Sequence, residues 1–214
     1  MTYQDVLKLN IPEQFGLNED DDWGGDLDFV VDQFKEEDIR YDNGCSKFVI
    51  FLNDDEVVKI PFNGYHYYND EDEEEGFCEF NNSDYCDIEA EIYQDAVVAG
   101  LSHFFAKTVF AGFTEKTHYP IYLSERVIPF EDKDYESIKP SEDSVNKANN
   151  MITSISSRWL ACAIDYYGQE EVSRLVDFIR EERVGDFHAG NVGFRKDGAP
   201  VLLDYSGYNE NSGF

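Results

Sequence analysis

Val184-Gly-Asp186-Phe-His188-Ala-Gly-Asn191-Val-Gly-Phe-Arg-Lys-Asp-Gly198-Ala-Pro-Val-Leu-Leu-Asp204-Tyr205 is the stretch on which the reading of this chain turns. Asp186 stands five residues before Asn191. A β-hairpin signal follows: an apolar strand at 192–194, a Lys-Asp-Gly turn ending at Gly198, and a second strand at 201–203 that delivers Asp204. A carboxylate, an amide and a second carboxylate are thereby set on loops at the ends of short strands. Hard oxygen ligands of this kind hold Mg²⁺ while leaving positions for water and phosphate. Solvated turn carboxylates on an ordinary hairpin are the competing reading.

Asp186-x-x-x-x-Asn191, followed by a hairpin and Asp204, resembles the catalytic loop and metal-binding Asp of the protein-kinase-like superfamily. The form Gly-Asp-Phe-His-Ala-Gly-Asn is closer to the Asp-x-His-x-x-Asn loop of aminoglycoside and choline kinases than to the His-Arg-Asp form. The resemblance implies that Asp186 faces the acceptor hydroxyl, that Asn191 and Asp204 ligate Mg²⁺, and that His188 lies near the transferred phosphate.

The chain has 214 residues, enough for one large domain or two small lobes around a cleft. Hydrophobic residues make up 42% and aromatics 15%, so a packed core is expected rather than disorder. Lys and Arg total 17 against 46 Asp and Glu, a net charge of −29. Such a surface repels nucleic-acid phosphate, which excludes a direct nucleic-acid reader. It suits solubility, or attraction of a basic partner. Cys45, Cys78, Cys86 and Cys162 form no Cys-x-x-Cys, and no His pair completes a zinc site, so free thiols in a reducing cytoplasm are expected. No basic segment followed by an apolar run opens the chain, and no stretch approaches the roughly 18 apolar residues of a membrane span. A cytoplasmic protein without membrane association is the expectation.

Residues 1–39 read as an acidic extension that caps a small lobe or carries a partner surface. Within it, 26–35 reads as a short helix with Phe29, Val30 and Phe34 on one side. From Ile39 the pattern changes. Asn43-Gly44-Cys45-Ser46 is a turn, Phe48–Leu52 an apolar strand, Asn53-Asp-Asp55 a second turn, and Glu56–Phe62 a strand with Lys59 inside it. Gly44 permits close backbone approach to a phosphate, and the N–H groups of such a loop bind anions. A sheet interior rarely buries an ammonium without a partner, so Lys59 after two valines points to an anion. A snorkelling edge-strand lysine is the bland alternative. Val57-Val58-Lys59-Ile60 resembles the kinase strand Val-Ala-Ile-Lys, whose Lys grips the α- and β-phosphates. On that resemblance Val49 and Val57 flank the adenine, and Gly44 and Ser46 belong to the phosphate loop. Only Gly44 remains of that loop's glycines, and Lys47 stands where the last would be.

The acidic run Asn69–Glu75 reads as a solvated loop. A helix is expected over 84–99, with Ile88, Ile92 and Ala99 marking its buried stripe. The resemblance requires a helix Glu to pair with Lys59; Glu91 is narrowly preferred to Glu89. Residues 104–113 and 118–127 read as strands, the second ending in what the resemblance makes the hinge, where Glu125 to Val127 hold the adenine edge. A charged linker follows over 131–141. One long helix is then expected over 141–166: Val145, Ala148, Ile152, Ile155, Trp159, Cys162 and Tyr166 recur at steps of three and four. This stripe suits a core better than a dimer seam. A further helix over 169–182 shows Val172, Leu175, Val176 and Ile179 on one face.

The fold class expected is therefore α+β: a protein-kinase-like bilobal fold with an acidic extension (1–39), a small antiparallel sheet plus one helix and a hinge (40–128), and a helical second lobe (129–214). That lobe is expected to be reduced, because ten residues after Asp204 leave no room for an activation segment and later helices. The function implied is phosphotransfer from ATP with Mg²⁺ to a hydroxyl on a protein or small molecule. Asp186, His188, Lys59 and Glu91 serve the chemistry; Gly44, Ser46, Val49, Val57, Lys59, Glu125 and Val127 serve the nucleotide. The alternative is a non-catalytic kinase-like binder whose acidic surface engages or inhibits a basic partner, for example one that itself binds nucleic acid.

Overall fold

Phe48, Ile50, Val58 and Ile60 alternate with Lys47, Val49, Val57 and Lys59 along two neighbouring strands, so one sheet face is wholly apolar and the other is not. The computed structural model describes residues 1–18, 26–34, 39–68, 74–80, 85–130, 138–151, 153, 155–185 and 187–206. The chain divides into two units, Met1–Asp87 with Thr108–Ser124, and Ile88–Lys107 with Glu125–Phe214.

The first unit starts with α1 (Tyr3–Val6), β1 (Gly16–Asn18) and α2 (Asp26–Val31). A meander of β2 (Tyr41–Asn43), β3 (Lys47–Phe51) and β4 (Glu56–Pro61) follows, then β5 (Gly64–Tyr68) and β6 (Glu74–Glu79), and later β7 (Thr108–Phe113) and β8 (Pro120–Glu125). An antiparallel five-stranded sheet runs in the order β2-β3-β4-β8-β7. A smaller sheet runs β1-β5-β6, with β1 parallel to β5. The apolar face of the larger sheet, with Ile121 from β8, packs on Val6, Ile11, Phe15, Leu27 and Val30 from the first 34 residues. Phe15 is the centre of this core, with ring centroids 5.0 Å from Phe62, 5.8 Å from Tyr119 and 6.5 Å from Phe48. The acidic segment is thus an integral part of the unit. Its helix buries Leu27 and Val30 and leaves Phe29 45% exposed, so the expected stripe is rotated. β5 and β6 were not legible: the negative charge of 69–75 reads as loop, yet β6 begins at Glu74 and forms an outer strand of its sheet. The acidic stretch 69–73 lies outside the described residues.

The second unit takes in most of α3 (Tyr85–Ala99), then β9 (Ile128–Pro129), α4 (Glu142–Asn149), α5 (Ser157–Tyr167), α6 (Gln169–Glu181) and the hairpin β10 (Val192–Phe194)–β11 (Pro200–Leu202). β9, β10 and β11 form its sheet. Trp159, Leu160, Leu175, Phe187 and Tyr205 lie in its core. The single long helix does not form. Met151-Ile-Thr-Ser-Ile-Ser-Ser157 is a run of β-branched and hydroxyl residues, which compete with helical backbone bonds; Ile155 N–H bonds Thr153 Oγ1 at 3.2 Å. The chain turns back there, and Asp165 near the end of α5 clasps the start of α4. Its carboxylate accepts from Ser141 N–H at 2.6 Å, and from Ser141 and Ser144 hydroxyls at 2.7 Å each. Val145 and Tyr166, assigned to the stripe, are 37% and 51% exposed; Ile152 lies outside the described residues.

Cys45, Cys78, Cys86 and Cys162 are free thiols, and burial pushes Cys162 up to about 11. Among the described residues no helix is long and apolar enough to cross a membrane.

Two stability measurements check this account. Phe15→Ala should cost about 3–5 kcal/mol in urea denaturation; an appended extension would leave stability unchanged. The bonds from Ser141 N–H, then from the Ser144 and Ser141 hydroxyls, hold the Asp165 carboxyl below its ordinary 3.8. A depressed folded pKa stabilises above the unfolded value and loses that stabilisation as pH falls through the folded value. The melting-temperature gap between the intact protein and Asp165→Asn should therefore hold from neutral pH to about pH 5 and close below the ordinary carboxylate range. A gap independent of pH would refute the clasp.

Candidate functional site

In the first unit the decisive geometry is the register of β3 on β4. Val49 pairs with Lys59 and Phe51 with Val57, so Val49, Val57 and Lys59 share the face opposite the apolar core. Lys59 is only 6% exposed and Val57 is likewise buried. Lys47, two residues before Val49, joins them on that face at 4% exposure. On β7 and β8 the buried Thr108 and Ser124 hydroxyls bond each other at 2.9 Å. The β2–β3 turn is closed by Gly44 N–H donating to Lys47 C=O at 3.0 Å, while Ser46 C=O accepts from Phe62 N–H at 2.9 Å. A Cβ at Gly44 would meet no protein atom within 4 Å.

In α3 the two candidate glutamates differ in burial. Glu89 is fully buried, on the stripe with Ile92 and Ala96 at three and seven residues' distance, whereas Glu91 is exposed. The stripe follows Glu89 because Val97 and Val98 at the far end of the helix turn outward, 47% and 88% exposed. Lys59 belongs to the first unit, and Glu89 and Glu91 to the second.

Asp186 lies outside the described residues. Around it, Phe187 is buried and His188 caps a 3-10 turn, Ala189–Asn191. His188 Nδ1 accepts from Gly190 N–H at 3.0 Å, and His188 C=O accepts from Asn191 N–H at 3.0 Å. An accepting Nδ1 puts the proton of the neutral ring on Nε2, which is then a donor. Asn191 C=O in turn accepts from Leu203 N–H at 3.0 Å and Asp204 N–H at 3.4 Å. The amide and the carboxylate of the sequence motif are therefore joined through their backbones, and Asp204 Oδ1 accepts from Ser206 Oγ at 3.3 Å. Both residues are partly exposed. Among the described residues no three His, Cys, Asp or Glu side chains gather as a metal site. Two hard oxygen donors nonetheless fit Mg²⁺, which binds through one or two carboxylates together with water and substrate phosphate.

Arg195, which directly follows β10 and has no role assigned to it from the sequence, is the hub of this region. Its Nε and second guanidinium nitrogen donate to the two oxygens of Glu125 at 2.7 and 2.9 Å. It also donates to the carbonyls of His103 at 2.6 Å and Phe105 at 2.9 Å. Burial opposes the Arg195 charge, but hydrogen bonds and charge from Glu125, with Tyr167 and Asp197, hold its pKa above the ordinary value. The Glu125 carboxylate is thus engaged by Arg195, and its N–H by Lys107 C=O at 2.8 Å. Val127 packs against Gly193, where a Cβ would overlap the Ile128 carbonyl. Glycine lets β9 and β10 approach, and Trp159 Nε1–H bonds Gly193 C=O at 3.1 Å. Nothing local announces the Arg195–Glu125 pair, whose members stand 70 residues apart.

Arg195→Lys and Glu125→Gln should each lower stability by about 1–2 kcal/mol, the charge-assisted range reduced for partial exposure. In a double-mutant cycle the two losses should fall short of additive; strict additivity would show that the pair does not act as one. No family model, no curated protein and no solved structure matches this chain.

Proposed function

We propose that this chain is a kinase-like bilobal protein that transfers phosphate from ATP, with Mg²⁺, to a hydroxyl acceptor on a protein or small molecule. The observation that carries the reading is Lys59: an ammonium 6% exposed in the middle strand of a five-stranded sheet, with Val49 and Val57 on the same face. The backbone bonds that join Asn191 to Asp204 support it.

Lys59 grips and neutralises the phosphates, and Val49 and Val57 hold the adenine from the sheet side. Gly44 and Ser46 form the turn beside the phosphates. Glu89 takes the role of the helix glutamate, and the backbone near Val127 meets the adenine edge. Asn191 and Asp204 hold Mg²⁺, which neutralises charge on the transferring group. Asp186 orients or deprotonates the acceptor hydroxyl. His188, with its proton on Nε2, donates to a phosphate oxygen. Such charge stabilisation by fixed groups is the larger share of catalysis in phosphoryl transfer.

The net charge of −29 favours a second reading, a kinase-like binder of a basic partner without catalysis.

ATP with Mg²⁺ should raise the melting temperature of the intact protein, since a ligand specific for the folded state stabilises it by mass action. Lys59→Ala and Asp204→Ala should weaken that shift. Asp186→Ala should keep it and lower transfer of a γ-labelled phosphate by roughly 10²- to 10⁴-fold. Glu89→Gln should damage activity more than Glu91→Gln. No shift at millimolar ATP would overturn the catalytic reading, and salt-sensitive capture of a basic protein without nucleotide response would favour the second.

A further inference from the structure

We infer that Ser206 is a positioning residue for Asp204, presenting its carboxylate to a cation through one oxygen and so favouring Mg²⁺ over Ca²⁺. The inference rests on the phosphotransferase reading for Asp204 as a metal ligand, and adds to it what sets the choice of cation.

The segment after β11 changes sharply in burial. Tyr205 and Ser206 are 0% and 6% exposed, while Asp204 just before them is partly exposed. The two buried residues anchor the carboxylate from one side. Tyr205 Oη donates to Ala106 C=O at 2.7 Å, and Ala106 N–H donates to Leu202 C=O at 2.7 Å. The Tyr205 ring packs edge-on against Phe105, with centroids 5.0 Å apart. Residues 105–106 thus brace the chain on both sides of Asp204, at Leu202 and at Tyr205. On the other side, Asn191 C=O accepts from the Leu203 and Asp204 N–H groups. The backbone that carries Asp204 is held in place by the protein alone.

Rotation of the carboxylate is a separate matter. The last torsion of an Asp side chain is broad and two-fold, so a fixed backbone does not by itself fix the carboxylate plane. Ser206 Oγ lies 3.3 Å from Asp204 Oδ1. An ionised carboxylate only accepts, so the hydroxyl is the donor. A hydroxyl this buried keeps such a bond, because leaving it unmade costs free energy. The donated proton holds Oδ1 toward Ser206 and leaves Oδ2 the better ligand. Hydrogen-bonding partners behind metal ligands act generally in this way, orienting the ligand and tuning its oxygen.

Coordination through one oxygen bears on the identity of the cation. Mg²⁺ demands near-ideal octahedral geometry, which the narrow bite of a two-oxygen carboxylate does not fit, whereas the larger and more flexible shell of Ca²⁺ accepts it. Turning Asp204 to chelate through both oxygens means leaving Ser206. Removing the hydroxyl therefore harms Mg²⁺ and spares Ca²⁺.

The test uses the full chain with a non-hydrolysable ATP analogue. Bound Mn²⁺ is read by electron paramagnetic resonance, and Mg²⁺ and Ca²⁺ are titrated in as competitors. Ser206→Ala should weaken Mg²⁺ by roughly 10- to 100-fold and Ca²⁺ far less, so the ratio of the two affinities falls. Ser206→Cys keeps nearly the same volume with a weak donor, and should lower the ratio as Ser206→Ala does. It also stands in should Ser206→Ala fail to fold, which circular dichroism without metal or nucleotide reports. A ratio unchanged in Ser206→Cys shows that Ser206 serves packing alone, which overturns the inference and leaves the phosphotransferase reading standing. A lowered ratio in an otherwise folded variant, with no transfer of γ-labelled phosphate by the intact protein, supports the inference and removes the phosphotransferase reading. An intact protein that takes up no Mn²⁺ with the analogue overturns both.

Discussion

The first unit depends on its larger sheet, which buries Lys47 and Lys59 on one face and an apolar layer on the opposite face. Phe48, Ile50, Val58 and Ile60 are completely buried there, each contributing roughly 1.5–3 kcal/mol. That burial exists only because the first 34 residues cover the sheet with Phe15, Leu27 and Val30. The acidic segment is thus a structural condition for the apolar face, which would open to water without it.

The second unit solves a different problem, the placement of two short loops. Arg195 ties the end of β10 to Glu125 and to the carbonyls of His103 and Phe105. Trp159 and Gly193 fix the middle of the strand, and Phe130 N–H bonds Val192 C=O at 2.8 Å at its start. With both ends and the centre of β10 held, the turn carrying His188 and Asn191 is joined to Asp204, two residues after β11, through backbone bonds to the Asn191 carbonyl. Sites that act by charge stabilisation need groups held before the ligand arrives, because reorganisation during reaction is costly. A bidentate guanidinium–carboxylate pair is well suited to this, since its two parallel bonds resist rotation.

Where local reading succeeded, the signal was complete within about ten residues. The hairpin at 192–202, the strands around Lys59, and the helices near 85–99 and 169–181 were read with their periods and nearly their ends. Where it failed, two local signals competed. The stripe from Val145 to Tyr166 was a good helical period, but the hydroxyl-rich run at 151–157 broke it, and the Asp165 clasp made the break a hairpin. The charge of 69–75 hid β6, whose pairing with β5 depends on strand contacts that no composition rule sees. Glu91 was narrowly preferred to Glu89 from a stripe drawn through Ile88, Ile92 and Ala99, of which Ile92 is buried and the other two only partly.

The sequence by itself determined the strand around Lys59, the hairpin that ends in Asp204, and the order in which Asp186, Asn191 and Asp204 occur. These follow from periods of two, turn residues and spacing, which are properties of neighbours along the chain. The tertiary structure decided which glutamate is buried, that Lys47 shares the face of Lys59, and that Arg195 engages Glu125 rather than water. Each of these depends on register or on a partner tens of residues away, where a shift of one residue would turn the side chain to the other face.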